Sequence, residues 1–129
     1  MSVPVSIAIV DDDQFLRESI QDLLETEGIA SHLYASAEEF LSQYGDRDVD
    51  CVLADVRMAG MSGIEMLRQL KRMEGCPPVL IMTSYTSAQM KTAALKSGAS
   101  AFLEKPLDSQ ELIACLRKAI GDADCEAKP

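Results

Sequence analysis

Three carboxylates stand at the ends of two apolar runs, and chemistry could start there. Asp11 and Asp12 follow Val5-Ser6-Ile7-Ala8-Ile9-Val10 directly, and Asp55 closes Cys51-Val52-Leu53-Ala54 ahead of the small-residue turn Ala59-Gly60-Met61-Ser62-Gly63. Short apolar runs bounded by turn residues read as buried strands, so each acid sits where a strand leaves the core. If the two strands are parallel neighbours, their C-terminal ends open on one edge of a sheet. Acids remote in sequence then meet in one cleft.

Charge decides what that cleft holds. Two unit charges about 5 Å apart repel by roughly 3 kcal/mol at an effective dielectric near 20, so three ionised carboxylates need cations. Lys105, directly after the apolar run Ser100-Ala101-Phe102-Leu103-Glu104, can neutralise one of them. The remainder calls for a divalent ion. Carboxylates without a neighbouring histidine are hard oxygen ligands, which selects Mg²⁺, with Mn²⁺ possible. Thr83, ending Val79-Leu80-Ile81-Met82, adds a neutral hydroxyl. Asp11, Asp12, Asp55, Thr83 and Lys105 together make a site that binds metal and holds a phosphoryl group.

The elements that must position these residues are legible in the apolar spacing. Leu16, Ile20, Leu23 and Leu24 recur at three and four, the face of a first helix that Gly28 is placed to end. Ile29 to Tyr34 reads as a second strand, and Ser36 with Glu39 as a capping box for a short second helix ending near Tyr44 and Gly45. Ile64 to Met73 is a third helix stopped by Gly75. Thr86 or Ser87 caps a fourth, running to Gly98, and Asp108 with Glu111 caps a fifth through Leu112, Leu116 and Ile120. Five strands alternating with five helices predict an α/β fold, a parallel sheet covered on both faces by right-handed crossovers.

The chain has 129 residues, 47% of them apolar, which suits one domain with one core. That domain is expected over 1–121, with 122–129 a tail or the start of a linker. No apolar run approaches the roughly 20 residues of a membrane span, and the N-terminus lacks a signal-peptide pattern, so a cytoplasmic location and no membrane partner are expected. A net charge of −9 argues against direct nucleic-acid binding. Cys51, Cys76, Cys115 and Cys125 lack paired spacing and read as reduced thiols. His32 reads as a surface strand residue.

Val10-Asp11-Asp12-Asp13, Asp55 with Met58 and Gly63, Thr83, and Phe102-Leu103-Glu104-Lys105-Pro106 occur in an order and spacing that resembles the receiver domain of bacterial two-component response regulators. The likeness runs from about Val5 to Ile120 and is greatest to receivers of the FixJ/LuxR-type transcriptional regulators. It implies a flavodoxin-like strand order 2-1-3-4-5 and a cis bond at Lys105-Pro106. It implies Asp55 as the phosphoacceptor from a histidine kinase, and Mg²⁺ on Asp12, Asp55 and the Arg57 backbone carbonyl with Asp11 acting through water. Lys105 and Thr83 would bind the phosphoryl group. A Thr83/Phe102 switch would remodel the face of the fourth helix, fifth strand and fifth helix, where a homodimer or effector domain docks, and output would be transcription through a DNA-binding domain outside this chain. The resemblance implies no enzyme beyond assistance to its own phosphorylation and dephosphorylation. Arg57 and Tyr85 occupy positions that tune the acyl phosphate lifetime, here toward slow hydrolysis.

One position departs from the family pattern: Ala59 stands where proline is usual, which loosens the turn by about 0.4–1 kcal/mol. Other readings are a phosphorylation-independent docking receiver, a metal-dependent phosphatase with an Asp nucleophile, and a flavodoxin relative. The phosphatase pattern DxDxT is missing after the first strand, and three adjacent acids would repel a flavin phosphate.

Overall fold

In a computed structural model the described residues are 5–44, 49–73, 75–84 and 87–127, with side chains through 121. Five strands, β1 (Ser6–Val10), β2 (Ala30–Tyr34), β3 (Cys51–Asp55), β4 (Val79–Thr83) and β5 (Ala101–Glu104), alternate with α1 (Gln14–Thr26), α2 (Ala37–Gln43), α3 (Gly63–Lys71), α4 (Ala88–Lys96) and α5 (Ser109–Ala127). All pairings are parallel, in the order β2-β1-β3-β4-β5. The α/β class, the strand order and the cis Lys105-Pro106 bond all stand as expected.

The strands alternate between two apolar layers because successive side chains point to opposite faces. Ile7, Ile9, Leu53, Leu80, Met82 and Leu103 pack with Ile20 and Leu24 of α1 and Leu112 and Leu116 of α5. Ala8, Val10, Val52, Ala54, Val79 and Ile81 pack with Phe40 of α2, Met66, Leu67 and Leu70 of α3, and Ala94 of α4. Central β3 and β4 are buried throughout, as a doubly covered parallel strand requires.

Helix starts follow the caps, with three refinements. Ser87, of the two candidates, accepts the Met90 N–H at 3.0 Å, while Thr86 lies outside the described residues, as does Gly45. Ser36 accepts from Glu39 N–H at 3.0 Å, but Glu39 reaches back to Ala35 at 3.3 Å, so the expected box is displaced by one residue on its return arm. The complete capping box belongs to α3, between Ser62 and Glu65, where none was expected. Gly28 ends α1 with φ of 73°, a left-handed conformation that suits glycine. Helix α5 continues to Ala127, past the Gly121 where the apolar pattern stops, so backbone expected as tail or linker is helical there. Cys51, Cys76 and Cys115 are free, and burial pushes the Cys51 thiol up to about 12; Cys125 lies outside the described side chains.

Gly63 opens α3 directly beneath the end of β3. A Cβ there would overlap the Asp55 carbonyl oxygen, which is backbone and cannot swing aside. Alanine normally exceeds glycine in a helix by about 1 kcal/mol, whereas overpacking against a fixed wall costs about 1–3 kcal/mol. Gly63→Ala is therefore expected to lower the urea midpoint, and Gly121→Ala, where a Cβ meets open space, to raise it. Equal shifts of the same sign in both variants would remove the close approach as the cause.

Candidate functional site

Register brings the acids together. Val10 pairs with Ala54 across β1 and β3, so the following residues, Asp11 and Asp55, leave the sheet side by side. Asp55 pairs with Met82, and Thr83 with Glu104, which places Thr83 one step further out and Lys105 just past the end of β5. The Lys105 N–H donates to the Thr83 carbonyl at 2.9 Å, extending the ladder to the lysine.

Lys105 Nζ lies 2.8 Å from Asp11 Oδ2 and 3.3 Å from Asp55 Oδ2. One ammonium thus spans the acids of two strands from the end of a third. Asp11 is fully buried and its other oxygen accepts the Asp13 N–H at 2.8 Å. Asp13 itself caps α1, accepting from Phe15 and Leu16 N–H. Of the three consecutive acids, only Asp13 does the helix-capping work. Asp12 is exposed, and its Oδ2 accepts the Ala59 N–H at 3.2 Å.

Carboxylate oxygens of Asp11, Asp12 and Asp55 all lie within 4.8 Å of one another. Among the described residues three carboxylates face the Lys105 ammonium, and the donors are hard oxygens. That set fits Mg²⁺ or Mn²⁺, with the open side at exposed Asp12.

Burial holds the Asp55 carboxyl above the usual carboxylate range. The Lys105 charge draws it back and the Asp11 charge raises it again, while hydrogen bonds from Lys105 and the Arg57 backbone lower it without cancelling burial. For Lys105, burial alone would lower the pKa, but the hydrogen bond and charge of Asp11, then those of Asp55, outweigh it. Its ammonium keeps its proton above the ordinary lysine range. The site therefore carries a poorly solvated acid beside a firmly protonated lysine.

Thr83 is buried and Arg57 exposed, both at the same edge. Phe102 is half-buried and packs against the layer containing Ile81 and Ala94, on the α4 side. Tyr85 lies outside the described residues. Two contributors escaped the sequence reading. Glu38 of α2 accepts the Met61 N–H at 3.1 Å and so ties down the loop after Asp55. Arg17 of α1 donates to the Asp11 carbonyl at 2.6 Å. Neither has a local spacing signal, since both contacts form across tertiary packing.

The sequence profile described as response regulator receiver domain matches residues 7–117. The chain is 37% identical over 128 residues to the transcriptional regulatory protein FixJ of Bradyrhizobium diazoefficiens, covering 99% of this chain and 62% of that one. It thus spans about three fifths of that relative. Among solved structures, a CheY-like response regulator receiver domain protein from Methanospirillum hungatei superposes with a TM-score of 0.90 at 26% identity, covering 96% of this chain and 99% of that one. FixJ-N superposes with a TM-score of 0.85 at 32% identity, covering 93% and 96%.

A carboxyl whose folded pKa is raised contributes stability that is present below its unfolded value, about 3.9, and is lost as pH rises through the folded value. In metal-free protein at pH 7, ionised Asp55 is therefore a net liability. Asp55→Asn is expected to raise Tm by roughly 2–5 °C in chelator at pH 7, with the gain shrinking toward pH 4. A lower Tm for Asp55→Asn at pH 7 would contradict this account of the electrostatics.

Proposed function

The chain belongs to the response regulator receiver family, and from that premise we propose that Asp55 accepts a phosphoryl group from a histidine kinase. The observation that carries this reading is the meeting of Asp11, Asp12 and Asp55 with Lys105 at the C-terminal edge of the sheet. In the step, an Asp55 carboxylate oxygen attacks phosphorus and a P–O bond forms. The P–N bond breaks, and a phosphohistidine protonated on its other ring nitrogen leaves as neutral imidazole. An ionised acid needs no general base, so the protein contributes position and electrostatics.

Asp12, Asp55 and the Arg57 backbone carbonyl would hold Mg²⁺, with Asp11 acting through water, and the bound ion would supply positive charge at the phosphoryl group. Lys105 is already at the nucleophile and meets charge developing on the same oxygens. Thr83, one step beyond Asp55 in the register, donates its hydroxyl to the product. Its inward shift makes room for Phe102, and the face of α4, β5 and α5 changes. That face serves a homodimer or an effector domain. The relative FixJ is described as a transcriptional regulatory protein, which favours a transcriptional output carried by sequence outside this chain. The chain acts as a cytoplasmic switch, and its catalysis is confined to its own phosphorylation and dephosphorylation.

Arg57 and Tyr85 hold the sequence positions that tune acyl phosphate lifetime in the family, and their bulk favours a long-lived acyl phosphate. Acetyl phosphate with Mg²⁺ is expected to add the mass of one phosphoryl group, absent in Asp55→Asn and in chelator. Lys105→Ala should slow the gain by on the order of 10²-fold while leaving the fold intact. Absence of any adduct in the parent chain would leave the phosphorylation-independent docking reading, and hydrolysis within seconds would overturn the lifetime assignment.

A further inference from the structure

The loop after β3 is fastened by two carboxylates from elsewhere in the chain. Glu38 Oε2 accepts the Met61 N–H at 3.1 Å, and Asp12 Oδ2 accepts the Ala59 N–H at 3.2 Å. Between them Gly60 turns with φ of 82°, and a Cβ there would strike the Glu38 carboxylate. The loop then enters α3 through the Ser62–Glu65 capping box. Ala59 is thus a short link whose far side is anchored and whose N–H meets an acid of the cation site.

Asp12 is the acid with reason to leave. Asp11 is tied on both oxygens and Asp55 is buried beside Lys105. Asp12 is exposed and faces two like charges, so in the absence of a cation repulsion favours rotamers that point it into water. A single N–H donor opposes this. A carboxylate has about four acceptor positions, so one bond to Oδ2 leaves the others open to a cation.

We propose that the Ala59 backbone amide is a positioning donor that holds Asp12 at the cation site before the cation arrives. The inference rests on the reading of Asp12 as a Mg²⁺ ligand. Under this proposal the residue type at position 59 matters, since proline has no N–H and cannot make the bond. A proline would stiffen the turn but release the acid. An alanine keeps the acid and leaves rigidity to the Glu38 hydrogen bond and the α3 cap.

The two effects have opposite signs, which makes the test decisive. Mg²⁺ is titrated by calorimetry into the full chain, its Ala59→Pro and Ala59→Gly variants, and Asp12→Ala. If the amide positions Asp12, Ala59→Pro binds Mg²⁺ about three- to tenfold more weakly than the parent, and Ala59→Gly, which keeps the N–H, stays tighter than Ala59→Pro. If loop stiffness governs instead, proline binds most tightly and glycine least, and the proposal falls. A second measurement does not depend on the proline variant folding. In metal-free protein the Ala59 amide should be protected from hydrogen exchange, and Asp12→Ala should abolish that protection. Exchange unchanged by Asp12→Ala overturns the proposal. A parent chain that binds no Mg²⁺ defeats the reading of the cation site as well. A parent that binds, with Ala59→Pro equal to it or tighter, defeats the positioning role alone.

Discussion

The acidic edge of the sheet depends on the Lys105 ammonium, held between acids that the backbone forces together. Parallel pairing of β1 with β3 delivers Asp11 and Asp55 to one edge in the same register step, and no side-chain choice could separate them without shifting the sheet. Two carboxylates so placed repel by a few kcal/mol at moderate dielectric, a large fraction of the stability of a domain this size. Lys105 reaches both, and its backbone is fixed to Thr83, so the counter-charge is built into the same ladder that creates the problem. The compensation is partial. One positive charge against three negative ones leaves an edge poised for a divalent ion.

Partial compensation also separates the acids by role. A fully buried carboxylate must be saturated by donors, and Asp11 is, with Asp13 N–H on one oxygen and Lys105 on the other. It serves as the anchor. Asp55 is almost as buried, yet burial dominates its proton affinity and Lys105 answers only in part, which keeps a carboxylate oxygen short of solvation. In the proposed transfer, a poorly solvated anion would be a better nucleophile than a hydrated one. Local stability is given up at Asp55, and the wholly buried β3 and β4 make good the loss.

Much of this was legible in the sequence, for a physical reason. A strand that ends in an acid, and a helix that starts after Ser or Asp, are local patterns, and local patterns are what periodicity records. Asp11, Asp55, Thr83 and Lys105 could be placed at strand ends on that basis, and Ser36, Ser87 and Asp108 at helix starts. Strand order was not legible from spacing, because any order of parallel strands produces the same alternation; it came through the family resemblance. The contact of Glu38 with Met61 and that of Arg17 with the Asp11 carbonyl had no signature either. They form only when α2 and α1 dock on opposite faces of the sheet. The continuation of α5 beyond Gly121 was missed because apolar periodicity ends there while helical hydrogen bonding does not.

The exposure gradient across the acids orders events at the site. A cation approaching from solvent meets Asp12 first, since Asp12 is exposed while Asp11 and Asp55 are buried. Lys105 is bound to Asp11 through the shorter of its two contacts. It therefore stays at the edge with its charge available to a third anion. In the proposed phosphoryl transfer, the arrangement that tolerates two acids in the resting chain would leave a lysine already positioned for a phosphoryl oxygen, without a conformational search.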